Sequence, residues 1–262
     1  MGAERTEKAI RTPAPRPYGL ARVLAALVIF GVSFGFVEAA VVTYLRALYD
    51  PLHQRIYPES TPGDIFPLIT LEQLAREGPE HSHRLFTELV REAATLVMLA
   101  AVSLAFAANA REWWAGFMIA FGVWDIFFYL FLKVLLDWPD SLLAWDILFL
   151  VPIPWVGPVL APVLVSLSMI MAGVIVLQRE SAGRPVRLGW QPKALITAGG
   201  VIVVLALCWD FHNTSSGGMP HPFHWTLFLL GEVTGLSGLV LSNLSSRPRT
   251  GGSKQILPRS KS

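Results

Sequence analysis

The sequence predicts an all-α fold: a polytopic integral membrane bundle of six transmembrane spans, with a broken Pro-rich segment before span four. Three observations predict it. The 262 residues are 53% hydrophobic and only 15% charged, where a soluble domain carries roughly 25% charged residues, and the mean hydropathy is +0.50. The apolar residues fall in blocks long enough for a bilayer, which needs about 20 residues per helix. These blocks also lack the alternation over about 10 residues that marks a membrane β-barrel.

Residues 1–22 form a polar tail with three prolines and alternating charges, a composition that disfavours a packed core. The first span follows at about 23–45, too long for a signal core of about 7–15 residues. It holds Gly31 and Gly35, a small-xxx-small pair that lets helices approach closely. Glu38, three residues on, shares nearly the same face and so points into the bundle. Residues 46–85 read as a long proline-containing outer loop. Within it, Thr70-Leu-Glu-Gln73 is a capping box and Gly78-Pro79 a stop, which predicts a short helix over 71–77. That helix would lie on the lipid interface or cover a site below it.

The second span, 86–108, places Glu88, Glu92, Thr95 and Leu99 on one face, with Arg91 three residues from Glu88. The third, 113–136, carries Asp125, Tyr129 and Lys133 at intervals of four. These drift by about 40° per step, so one broad face holds all three. The apolar block after Asp-Trp-Pro-Asp140 contains Pro152, Pro154, Pro158 and Pro162. Proline removes backbone donors, which splits the block into a broken segment, 142–156, and a fourth span, 157–177. Non-helical backbone at membrane depth survives only where protein or water covers it, so 142–156 is expected within the bundle or at its rim. The fifth and sixth spans are 194–211 and 223–242; the sixth contains Glu232 and a second close-packing pair, Gly231 and Gly235. The basic Gly/Ser-rich stretch 244–262 reads as a second tail.

Lysine and arginine mark cytoplasmic loops. They number five in the N-terminal tail, one in the turn at 109–112, four in 178–193 and five in the C-terminal tail, against four in 46–85 and none in the other two loops. Six spans with both termini cytoplasmic satisfy this pattern. Compact size and short loops suggest a prokaryotic plasma or inner membrane. In this orientation Glu38, Glu88, Arg91, Glu92, Asp125, Tyr129, Lys133, Asp146, Asp210 and Glu232 lie at the midplane or in the outer half, which predicts an outer polar pocket above an apolar floor. Ionisable groups inside a membrane are costly and mark sites.

Four functional readings follow. A scaffold or subunit of a membrane complex with a ligand pocket would use the Gly31/Gly35 and Gly231/Gly235 faces toward a membrane-protein partner or a second copy. An enzyme acting on a lipid or lipid-linked substrate would draw an acid and a base from Glu38, Glu92 and Asp125, with Thr43 or Thr95 nearby. An ion or proton-coupled transporter would use the midplane acids, although the apolar inner half opposes a through path. A metal site would be built on His221 and His224, with His212, and imidazole with carboxylate suits zinc, iron or copper. The single Cys208 excludes an internal disulfide or a thiol-rich metal site. The net charge of +2 and the confinement of basic residues to loops give no sign of a nucleic-acid partner.

Overall fold

The computed structural model describes residues 19–61, 63–186 and 188–245. The two expected tails, but for Gly19–Arg22 and Leu244–Ser245, lie outside the described residues. In chain order the elements are α1 (Leu20–Ile56), α2 (Leu71–Glu77), α3 (Pro79–Leu104), α4 (Ala110–Leu136), β1 (Trp145–Phe149), β2 (Trp155–Pro158), α5 (Leu160–Ser181), α6 (Trp190–Leu207), α7 (Phe211–Ser215) and α8 (Trp225–Ser245). The fold is thus helical except for one two-stranded hairpin. Five stretches are long and apolar enough to cross a membrane: α1, α4, α5, α6 with α7, and α8. This fits an all-α membrane bundle. α3 has the length but falls outside that set, because Glu88, Arg91 and Glu92 interrupt its apolar run.

Local chemistry sets the boundaries. Asn109 caps α4, its side-chain oxygen accepting from the Arg111 and Glu112 amides at 3.0 and 3.2 Å. The capping box of α2 forms as expected: Gln73 N–H donates to Thr70 Oγ1 at 3.2 Å, and Thr70 N–H donates to Gln73 Oε1 at 2.8 Å. α3 starts with Pro79 in its first turn, after Gly78 at φ 139°. The first span differs from expectation. α1 does not stop at residue 45 but runs through Pro51 to Ile56, so the loop that follows is shorter than its proline content suggested.

The expected broken segment 142–156 is a β-hairpin. Trp145 pairs with Pro158, Asp146 with Gly157, Ile147 with Val156 and Phe149 with Trp155. Beyond the strands the ladder continues to the head of α5, where Val159 N–H donates to Ala144 O at 3.0 Å and Leu160 N–H to Leu142 O at 2.7 Å. Pro152 and Pro154 fall in the turn, where no ladder donor is needed. The apolar run with prolines could not be a helix, and antiparallel pairing is the other way to satisfy its backbone.

α4 is the central helix. It packs closely against α1 and α5 and more lightly against α3, while α6 and α8 form a second close pair that meets α5 and β2. Glycines allow both close pairings. A Cβ on Gly35 would stand 2.9 Å from Trp124 O, and one on Gly31 would stand 2.8 Å from Val123 Cβ, so both face α4. Gly199 of α6 lies against the backbone of Gly231 and Gly235, and a Cβ there would stand 2.6 Å from Gly231 O. The two small-residue faces therefore close helix pairs within the chain. Gly200 next door meets nothing within 4 Å. Gly199→Leu is expected to cost about 1–3 kcal/mol or more by overpacking. Gly200→Leu should be neutral or stabilising by up to about 1 kcal/mol through helix propensity. Melting temperatures of the two variants in detergent check the contrast.

Candidate functional site

At the end of the bundle where α1 finishes and α3 begins, α1 and α3 diverge over α4 and leave a cavity of about 320 Å³. Its walls come from five places. α1 contributes Glu38, Val42, Arg46, Tyr49 and His53, spaced by three and four residues along one stripe. α3 contributes Leu85, Glu88, Arg91, Glu92 and Thr95 on its inward face. α4 presents Trp124, Asp125, Phe128 and Tyr129. β1 adds Asp146 and the apolar residues that follow it, and the segment around Ile65, Leu68 and Leu74 covers the mouth. The short helix α2, with Leu74 buried against the cavity, thus belongs to the cover.

The polar residues tie the walls together. The Arg91 guanidinium donates to Glu38 of α1 through Nη1 and to Glu88 Oε2 at 2.9 Å through Nε. Thr95 Oγ1 donates to Glu38 Oε2 at 3.4 Å. Glu92 reaches the hairpin and accepts the Leu150 N–H at 2.9 Å. Tyr129 O–H donates to Asp146 Oδ2 at 2.9 Å, and Ser166 O–H of α5 donates to Asp125 Oδ2 at 2.8 Å. The Arg46 guanidinium stacks 4.1 Å from the Trp138 ring centroid. The cover is tied down by His53, whose Nε2 lies 2.9 Å from Pro67 O and whose Nδ1 lies 3.2 Å from Ser60 Oγ. Tyr57 O–H adds bonds to Leu68 O and Gln73 Oε1, both at 3.1 Å.

Of the residues singled out from sequence, Glu38, Glu88, Arg91, Glu92, Asp125, Tyr129 and Asp146 line this cavity. Lys133, Asp210 and Glu232 do not. The expected common face of Asp125, Tyr129 and Lys133 ends at Tyr129. Lys133 is exposed beside Asp137, donating to its backbone carbonyl at 3.0 Å and lying 2.8 Å from its carboxylate. The hydrogen bond and charge of Lys133 hold the Asp137 carboxyl below the usual carboxylate range. Glu232 instead joins α8 to α5, accepting from Ser168 Oγ at 2.6 Å. Asp210 receives the His221 amide at 2.9 Å and faces its Nδ1 at 2.8 Å. His224 packs edge-on to Trp209 and His212 edge-on to Phe211. Among the described residues no three histidine, cysteine, aspartate or glutamate side chains gather closely enough to hold a metal ion.

Sequence reasoning missed Arg46, Tyr49, Asp50 and His53, which it placed in a loop. Their three- and four-residue spacing continues from Glu38 and was the available signal; Pro51 obscured it. In comparisons with protein families, curated proteins and solved structures, the chain matches none. The site therefore rests on its own chemistry.

The arginine between two glutamates joins α3 to α1. Arg91→Leu would leave Glu38 and Glu88 in the wall without their cation, and removing one partner of a buried pair costs about 3–5 kcal/mol. The double variant Arg91→Leu/Glu38→Gln should recover part of that loss, which thermal unfolding of the two purified proteins would reveal.

Proposed function

We propose that the chain is a six-span membrane protein, with both termini cytoplasmic, that holds a ligand in the α1/α3/α4/hairpin cavity and acts as a scaffold or subunit of a membrane complex. α3 supplies the sixth span. Its 26 residues reach about 39 Å at about 1.5 Å per residue, and its Glu88, Arg91 and Glu92 line the cavity. The observation that carries the reading is the cavity itself. Pockets of roughly 300–1,000 Å³ with mostly apolar walls and a few convergent polar groups are the usual form of small-molecule sites. Here buried charges from several elements converge where burial disfavours them, which marks a site rather than packing.

A second reading is an enzyme acting on a lipid or lipid-linked substrate. It is favoured by Asp125 of α4 and Asp146 of β1, two buried carboxyls that line the same cavity. General acid and base work needs such a pair.

Topology follows from the Lys/Arg pattern and is tested by alkylation of single cysteines in a Cys208→Ser background. Cysteines placed at Gly63 and Ser216 should label from outside and one at Ser181 only after permeabilisation; labelling of Ser181 together with Gly63 from outside would refute the orientation. Asp125 tests the site. Asp125→Asn should keep the fold and abolish ligand binding or activity. Asp125→Leu should also lower stability by about 1–3 kcal/mol, because the Ser166 hydroxyl loses its acceptor in the core. A folded, stable and fully functional Asp125→Leu would place the site elsewhere.

A further inference from the structure

The cavity is unbalanced in charge. Seven carboxylates line it against two guanidinium groups. Arg91 is committed to Glu38 and Glu88, and Arg46 lies over Trp138 with Asp146 and Asp50 in its electrostatic neighbourhood. Glu92, Asp125 and Asp146 are 8%, 6% and 7% exposed. Their hydrogen-bond partners are neutral: an amide, a serine hydroxyl and a tyrosine hydroxyl. No ion pair reaches any of the three among the described residues. Arg91 and Arg46 act on Glu92 and Asp146 only from beyond ion-pair distance, and no cation acts on Asp125. Buried carboxylates so thinly compensated are costly, so these walls call for positive charge from outside the chain.

The form of that charge follows from the spacing and the rest of the wall. The acids are spread around the cavity, and no three of them gather closely enough for a metal ion. Between them stand Tyr49, Trp124, Phe128 and Tyr129, whose ring faces attract organic cations. Trp124 adds an independent sign of a missing partner. It is 4% exposed, and its Nε1–H has no hydrogen-bond partner. A buried donor left without a partner is costly, and Trp124 is a lining residue of the cavity.

Resting on the cavity being the binding site, we infer that its ligand is an amphipathic organic ammonium bearing an oxygen acceptor. The ammonium lies among Glu92, Asp125 and Asp146, and the apolar part lies along the aromatic wall. An amine-headed lipid and a free amino alcohol share this head chemistry.

The test is calorimetric titration of the full chain in neutral maltoside micelles, with empty micelles subtracted. The probes are N-decylethanolamine, the neutral N-(2-hydroxyethyl)decanamide, anionic decanoate and free ethanolamine. N-decylethanolamine should saturate one site at least tenfold more tightly than the neutral amide or decanoate. Asp146→Asn and Glu92→Gln should each weaken it tenfold or more while leaving the amide unchanged. Asp64→Asn, on the exposed cover, should weaken it several-fold without disturbing the buried walls. Saturable binding of ethanolamine with comparable affinity identifies a soluble amine as the source, and its silence identifies a lipid head; either supports the ammonium. Amide or decanoate binding as tight as the amine overturns the charge assignment but leaves the cavity as a binding site. No saturable binding by any probe overturns both.

Discussion

The Arg91 guanidinium is the interaction on which the cavity depends. It sits on α3, which packs only lightly on α4, and it binds Glu38 of α1 and Glu88 of its own helix at once. α1 and α3 share little other contact. Without this three-way tie the weaker Thr95–Glu38 hydrogen bond would be left to hold the two helices at a fixed separation across an open space. A void in a membrane bundle gains nothing from packing, so its dimensions are set by the polar links that cross its walls. Glu92 with the hairpin amide, Tyr129 with Asp146 and Ser166 with Asp125 extend that role to α4, α5 and β1.

The hairpin is the second constraint. Five strand residues and four partners place extended backbone beside the membrane helices, where every unpaired N–H or C=O is expensive. Cross-strand pairing satisfies most of it, and Glu92 takes the amide that emerges at Leu150. One glutamate therefore serves both as a cavity group and as a backbone partner. Fold and site are coupled through that side chain, so a change of charge at Glu92 reaches the hairpin as well as any ligand.

Close backbone contact holds the second half of the chain. α6 and α8 meet through Gly199, Gly231 and Gly235 with backbone in near contact, the arrangement by which small residues replace the hydrophobic effect as the source of helix association in lipid. The polar residues there pair with one another: Glu232 with Ser168 of α5, and Asp210 with His221.

Composition and apolar block length by themselves determined a helical, membrane-length architecture, because a bilayer leaves few other ways to satisfy a backbone. The capping box at Thr70 and the cap at Asn109 were legible because helix ends are local chemistry. Most of the acidic cavity wall was legible too, since an ionisable residue in an apolar run has few tolerable places to go. Tertiary structure alone decided three things. Pro51 made Arg46–His53 look like loop, yet α1 continues through it and adds these residues to the cavity. The proline-rich run at 145–158 became a hairpin, because strand pairing joins residues whose partners no local pattern names. Lys133, Asp210 and Glu232 were separated from the cavity, because helical spacing gives a direction around one axis but not which neighbour stands on that side.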